Sequence, residues 1–218
     1  EMKSLLRWYL GVLAAVAVTV GMKKRALELY REIVRLDPAD AKVGATLGAL
    51  LMEQGESAEA TAVFERVLER NPDYADGWFN LGFIHEQREQ GAEAERCFRR
   101  ALKLNEHHDR AWYGLALVLI RADRLPEAVE ALKSNVKLQP FSPYGYYQLS
   151  MTYHHLGESG EAWRTYEQLK TFEPKYAATL KRDLESTRAR HNAAAPATSG
   201  ASPESPDFSR KEALHPIT

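Results

Sequence analysis

Apolar positions recur at helical spacing along most of the chain, and the helical runs themselves recur every 34 residues. In the first run of each period, Leu13, Leu47, Leu81, Leu115 and Leu149 share one register, and each is followed by a small residue: Ala14, Gly48, Gly82, Ala116 and Ser150. In the second run Ala26, Ala60, Ala94, Ala128 and Ala162 form an unbroken column. Four positions on stand Tyr30, Phe64, Phe98, Leu132 and Tyr166. Prolines close the periods at 38, 72, 140 and 174, with Glu106 replacing the fifth. The turns inside the pairs carry Gly55, Gly91 and Gly157, and Asp123 to Pro126 in the fourth, where Pro126 suits a helix start. Each period therefore predicts two antiparallel helices. A small residue facing an alanine lets them approach, a large residue one turn later fills the open end, and proline prevents continuation. No single pair can bury its own apolar face, so the pairs must stack.

The segment Trp78-Phe79-Asn80-Leu81-Gly82, followed by Ala94-x-x-x-Phe98 and a closing proline in most periods, resembles the tetratricopeptide repeat. The resemblance covers about residues 7 to 176 in five units without an insertion: 7–40, 41–74, 75–108, 109–142 and 143–176. It implies an all-α, right-handed superhelix of helix pairs, with partner peptides lying along a concave face lined by the first helices. Residues 177–191 abandon the motif: Asp183 occupies the Leu column, and Tyr176, Leu180 and Leu184 make one apolar side, as a capping helix requires. From 192 to 218 the composition shifts to Ala, Pro and Ser, which predicts a disordered tail.

The start departs from this plan. Trp8 to Met22 holds no charge, and residues 5–22 as a helix span about 27 Å against roughly 30 Å of hydrocarbon. Positions that are Lys42, Glu53 or Asp76 in later units are here apolar or small. Residues 1–22 are thus expected to be a membrane anchor or the first helix of repeat one, its outer face covered by protein. A cleaved signal peptide lacks a good small-x-small site. Lys23, Lys24, Arg25, Arg31 and Arg35 follow the segment, whereas Lys3 and Arg7 precede it, so an anchored chain would hold its repeats on the cytoplasmic side of an inner (plasma) membrane. A cytoplasmic soluble or a periplasmic location is the alternative.

A formal charge of −1, from 29 basic and 30 acidic residues, offers no field for nucleic acid. The single cysteine, Cys97, forbids an internal disulfide, and the arginines at 96, 99 and 100 could lower its pKa. His107-His108 and His154-His155 are adjacent pairs, pointing about 100° apart on a helix, which is wrong for chelation, so no metal is expected. His85, in an apolar column, reads as a packed histidine, and Asn135, also in an apolar column, as the site of a bound water or a bend. No phosphate loop, nucleophile elbow or carboxylate pair occurs, so neither catalysis, nor a cofactor, nor a small-molecule substrate is expected.

The resemblance places the candidate partner groove on Phe79, Tyr113 and Tyr147, beside Phe83, Leu117 and Met151, with Asn80 and Gln148 between them and Tyr144 extending the surface. With Trp78, Trp112 and Tyr146 assigned to helix packing, these aromatic side chains are surplus to the core and suit an apolar or aromatic-bearing segment of a partner protein. Asn80 and Gln148 would hold its backbone. Packing between neighbouring first helices would place aromatics there too. The carboxylate clamp of heat-shock co-chaperones is disfavoured, since only Asn80 among its expected polar residues is suitably placed. The expected function is a scaffold or assembly factor, held at a membrane. A structural subunit of a membrane complex without a peptide ligand, and a periplasmic envelope or pilus assembly protein, are the alternatives.

Overall fold

The structure, a computed structural model, describes residues 2–193. Eleven α-helices and no strand occur among them: α1 (Met2–Thr19), α2 (Lys23–Leu36), α3 (Ala41–Glu53), α4 (Ser57–Arg70), α5 (Ala75–Gln87), α6 (Gly91–Leu104), α7 (Asp109–Arg121), α8 (Leu125–Leu138), α9 (Pro143–His155), α10 (Ser159–Phe172) and α11 (Pro174–Ala193). They fall into two compact units, α1 to α6 ending at Glu106 and α7 to α11 beginning after it. In the first unit α1 pairs with α2, α3 with α4 and α5 with α6, while α2 packs on α3 and α4 on α5. The second repeats this with α7–α8 and α9–α10, and α11 packs on both α9 and α10.

The columns read from the sequence are the pairing surfaces. All five alanines from Ala26 to Ala162 have no exposed surface, and Phe64, Phe98 and Leu132 one turn later are equally enclosed. Opposite them the approach is so close that a Cβ on Gly48 would stand 2.4 Å from the Phe64 ring, and one on Gly82 3.0 Å from Cys97 and Phe98. Where the fifth unit has serine instead, the Ser150 hydroxyl donates to the Ala162 carbonyl at 2.8 Å and so satisfies itself inside the seam. The Trp78 indole N–H donates to the Pro72 carbonyl at 2.8 Å, tying α5 to the chain end that proline frees from α4. Asn135 is buried with a backbone partner: its amide donates to the Asp109 carbonyl at 2.9 Å, and its side chain fills the space beside Gly145.

The intrahelix turn is also a column, but not the one expected around Gly91. Gly21, Gly55, Glu89, Asp123 and Gly157, one period apart, all have left-handed backbone, with φ from 56° to 80°. Gly91 instead is the first residue of α6. Glutamate at position 89 takes a conformation that costs a side chain free energy, which is why glycine fills most of the column. Pro126 lies in the first turn of α8 as expected. Pro174 opens α11, so the capping helix runs from 174 rather than 177. The tail expected over 192–218 lies, from residue 194 on, outside the described residues.

α1 sits as the first helix of a pair: Ala14 and Ala17 are buried, Leu10 and Leu13 pack on the same core, and Arg7 pairs with Asp37 and Asp40 at the far end of α2. Its other side is apolar and exposed from Met2 to Val20. By length and composition it is also a helix able to cross a membrane. Ion pairs run from pair to pair as well. Arg31 on α2 grips Glu59 on α4 through two bonds of 2.8 and 2.6 Å, which lowers the carboxyl pKa and raises that of the guanidinium.

The seam makes a signed prediction. Gly48→Ala gains helix propensity, about 1 kcal/mol, but forces a methyl into the Phe64 ring, and overpacking costs about 1–3 kcal/mol. Its urea midpoint should therefore fall. Gly11→Ala on α1, where a Cβ meets nothing within 4 Å, should raise the midpoint by the propensity gain alone.

Candidate functional site

Of the nine expected groove residues, seven are buried: Phe79, Asn80, Phe83, Tyr113, Leu117, Gln148 and Met151, with Tyr144 and Tyr147 half-exposed. In the first unit the aromatics are not surplus to the core. Phe79 has no exposed surface and its ring lies 5.9 Å from that of Phe98, across the α5–α6 seam. Trp78, assigned to packing, is only half-buried, so the two neighbouring columns exchange roles there. The reason is local: α5 has α3, α4 and α6 against it, which leaves little of its circumference free. Even the carboxylate of Glu86 on this helix is buried, with the Gln87 amide donating to it at 2.7 Å.

The second unit keeps a surface. Tyr144 and Tyr147 stand on one side of α9, and Gln148 lies beneath them, 3% exposed. Tyr113 on α7 joins this group. Burial pushes its phenol pKa up, a hydrogen bond with Gln148 opposes this, and the phenols of Tyr176 and Tyr144 push upward again. The oxygen of the Gln148 amide is buried and accepts no hydrogen bond. Over this surface lies the start of α11. Tyr176 meets Tyr144 edge-on at 5.5 Å and Tyr147 at 6.3 Å, and the Tyr147 hydroxyl donates to the Asp183 carboxylate at 2.6 Å. Sequence pattern alone places Tyr176 and Asp183 in a capping helix. The signal that pointed further was Asp183 in a column otherwise held by leucine, since a carboxylate there needs a donor across the interface.

These are helix pairs with the repeat's alanine and glycine seam, and sequence models of the tetratricopeptide repeat match residues 21–81, 51–103, 84–143 and 143–176. The chain is a tetratricopeptide-repeat protein. Among solved structures, a MamA protein aligns with a TM-score of 0.70 at 21% identity over 79% of this chain and 94% of its own. MamA from Desulfovibrio magneticus RS-1 aligns with 0.70 at 19% over 77% and 95%. YrrB, described as a TPR protein with an unusual peptide-binding site, aligns with 0.65 at 23% over 78% and 88%. At these identities the likeness is one of fold. No curated protein matches the sequence. As a tetratricopeptide-repeat protein the chain is a protein-interaction scaffold, a family trait that carries no residue-level assignment.

Cys97 is not the activated thiol its arginine neighbours suggested. It is buried in the α5–α6 seam, and desolvation pushes its pKa up to about 11, with Arg96 opposing more weakly. Its histidine counterpart, His85, is half-buried and shares a 2.8 Å hydrogen bond with Gln90. In this repeat protein the thiol is predicted to react with a disulfide reagent at neutral pH only at the rate of unfolding. Because the folded pKa lies above the unfolded value, stability contributed by the neutral thiol is present below about pH 9 and lost as pH rises toward 11. Urea titrations of wild type and Cys97→Ala across that window should converge as pH rises.

Proposed function

We propose that the protein is a membrane-held scaffold that takes an aromatic-bearing segment of a partner protein on the α9 surface, at Tyr144, Tyr147 and Gln148 with Tyr113 behind them. The observation that supports this is α11 itself. It is an aromatic-bearing segment seated on that surface, through Tyr176 against two tyrosine edges and Asp183 on a phenol. A partner segment offering the same chemistry competes with α11, and one with a backbone or side-chain donor reaches the unpartnered Gln148 oxygen as well. Leu117 and Met151 are buried within the same unit, whereas Phe79, Asn80 and Phe83 are buried in the first unit and take no part in this surface. Membrane attachment is assigned to α1, whose exposed apolar side suits lipid. The basic residues after α1 favour repeats on the cytoplasmic side.

A second reading, a structural subunit with no peptide ligand of its own, is favoured by the complete burial of Phe79 and Asn80. Photocrosslinking separates the two. With benzoylphenylalanine at position 144 in the full chain in its own cells, the scaffold reading predicts a discrete crosslinked protein that Gln148→Ala diminishes severalfold while far-UV helicity is kept. Crosslinks confined to α11 would favour the second.

A further inference from the structure

α1 has two faces with different fates. Leu10, Ala14 and Ala17 point into the pair, whereas Leu5, Trp8, Tyr9, Val12 and Val16, at helical spacing of three to four, form one exposed stripe, with Trp8 66% exposed. No charge interrupts it between Arg7 and Lys23. Along the sequence the charge has one sign: Met2 to Leu27 contains Lys3, Arg7, Lys23, Lys24 and Arg25 and no acidic residue, and of these Arg7, Lys23 and Arg25 pair with Asp37 and Asp40, Glu53 and Glu28 from beyond the stretch.

We infer that α1 lies flat on an anionic lipid bilayer, its outward stripe at the boundary of headgroups and acyl chains, without leaving α2. The inference rests on the membrane-held reading above and specifies its geometry. Crossing the bilayer would strip Ala14 and Ala17 from the core, break the Arg7 pairs with Asp37 and Asp40, and carry a helix of about 27 Å across roughly 30 Å of hydrocarbon. Lying in the interface costs none of these contacts. The packed pair supplies what an interfacial helix needs on its water side, since α2 carries the charge. Trp8 and Tyr9 are the aromatic types that favour the headgroup level, and lysines at both ends of the stripe reach phosphates. A second copy of the chain on the stripe would instead bring two sets of like charges together.

The test uses the purified full chain and sedimentation with vesicles of phosphatidylcholine alone or mixed with phosphatidylglycerol. Binding is expected to the anionic vesicles only, weakened by salt. It should fall about tenfold or more with Val12→Asp and with Lys23→Glu plus Lys24→Glu, at unchanged far-UV helicity. Alkaline carbonate should release the protein from membranes of cells that make it. Carbonate-resistant retention abolished by Val12→Asp would overturn the flat geometry while sparing the membrane-held reading. Failure to bind either vesicle and absence from the membrane fraction would overturn both. A dimer that ignores vesicles and is split by Val12→Asp would replace lipid with a second copy.

Discussion

The close approach of two helices across a seam of alanine and glycine is the constraint on which everything else rests. A Cβ on Gly48 would lie inside contact distance of the Phe64 ring, so the second helix sits as near to the first as backbone geometry permits. That distance lets one large residue per pair, from Tyr30 to Tyr166, close the seam. It also fixes the turn: only five residues among those described, one per period, adopt left-handed backbone, and they fall a full period apart. Ion pairs such as Arg31 with Glu59 then tie successive second helices, but as half-exposed contacts they orient more than they stabilise.

What was legible in the sequence follows from this. The seam residues interact within one pair, at fixed sequence separation, so their columns could be read directly, as could the prolines that end the second helices. Less legible were features that depend on a third helix. Phe79 and Trp78 are neighbours in sequence, and which one is enclosed depends on what α3, α4 and α6 cover. Sequence spacing alone assigned Trp78 to the core, and packing enclosed Phe79 instead. Cys97 teaches the same lesson in electrostatics. Adjacent arginines on a helix point away from a residue that faces the seam, so desolvation outweighs them.

Among the described residues, the surface around α9 is covered by α11 and not by the first helix of another pair. A final first helix with nothing beyond it would leave Tyr144, Tyr147 and the Gln148 amide facing water. α11 covers them with Tyr176 and Asp183, and buries Ala177, Leu180 and Leu184 against the second unit. Its hold is mixed: the leucines supply nondirectional burial, whereas the phenol–carboxylate bond and the tyrosine edges are directional and exchangeable for like groups from elsewhere. Gln148 is left with an unfilled acceptor under this cover. Under the proposed function, a partner segment that replaces α11 on these tyrosines must also compensate for the burial of Ala177, Leu180 and Leu184 that the exchange gives up.

Hydrogen exchange of the amides in α11, with and without the partner captured at position 144, tests that exchange most directly. If the partner segment takes the place of α11 on Tyr144 and Tyr147, amides over residues 174–187 exchange faster in the complex while those of α9 slow. Unchanged or slower exchange in α11 would mean that the partner sits elsewhere and that the tyrosine surface only holds the cap.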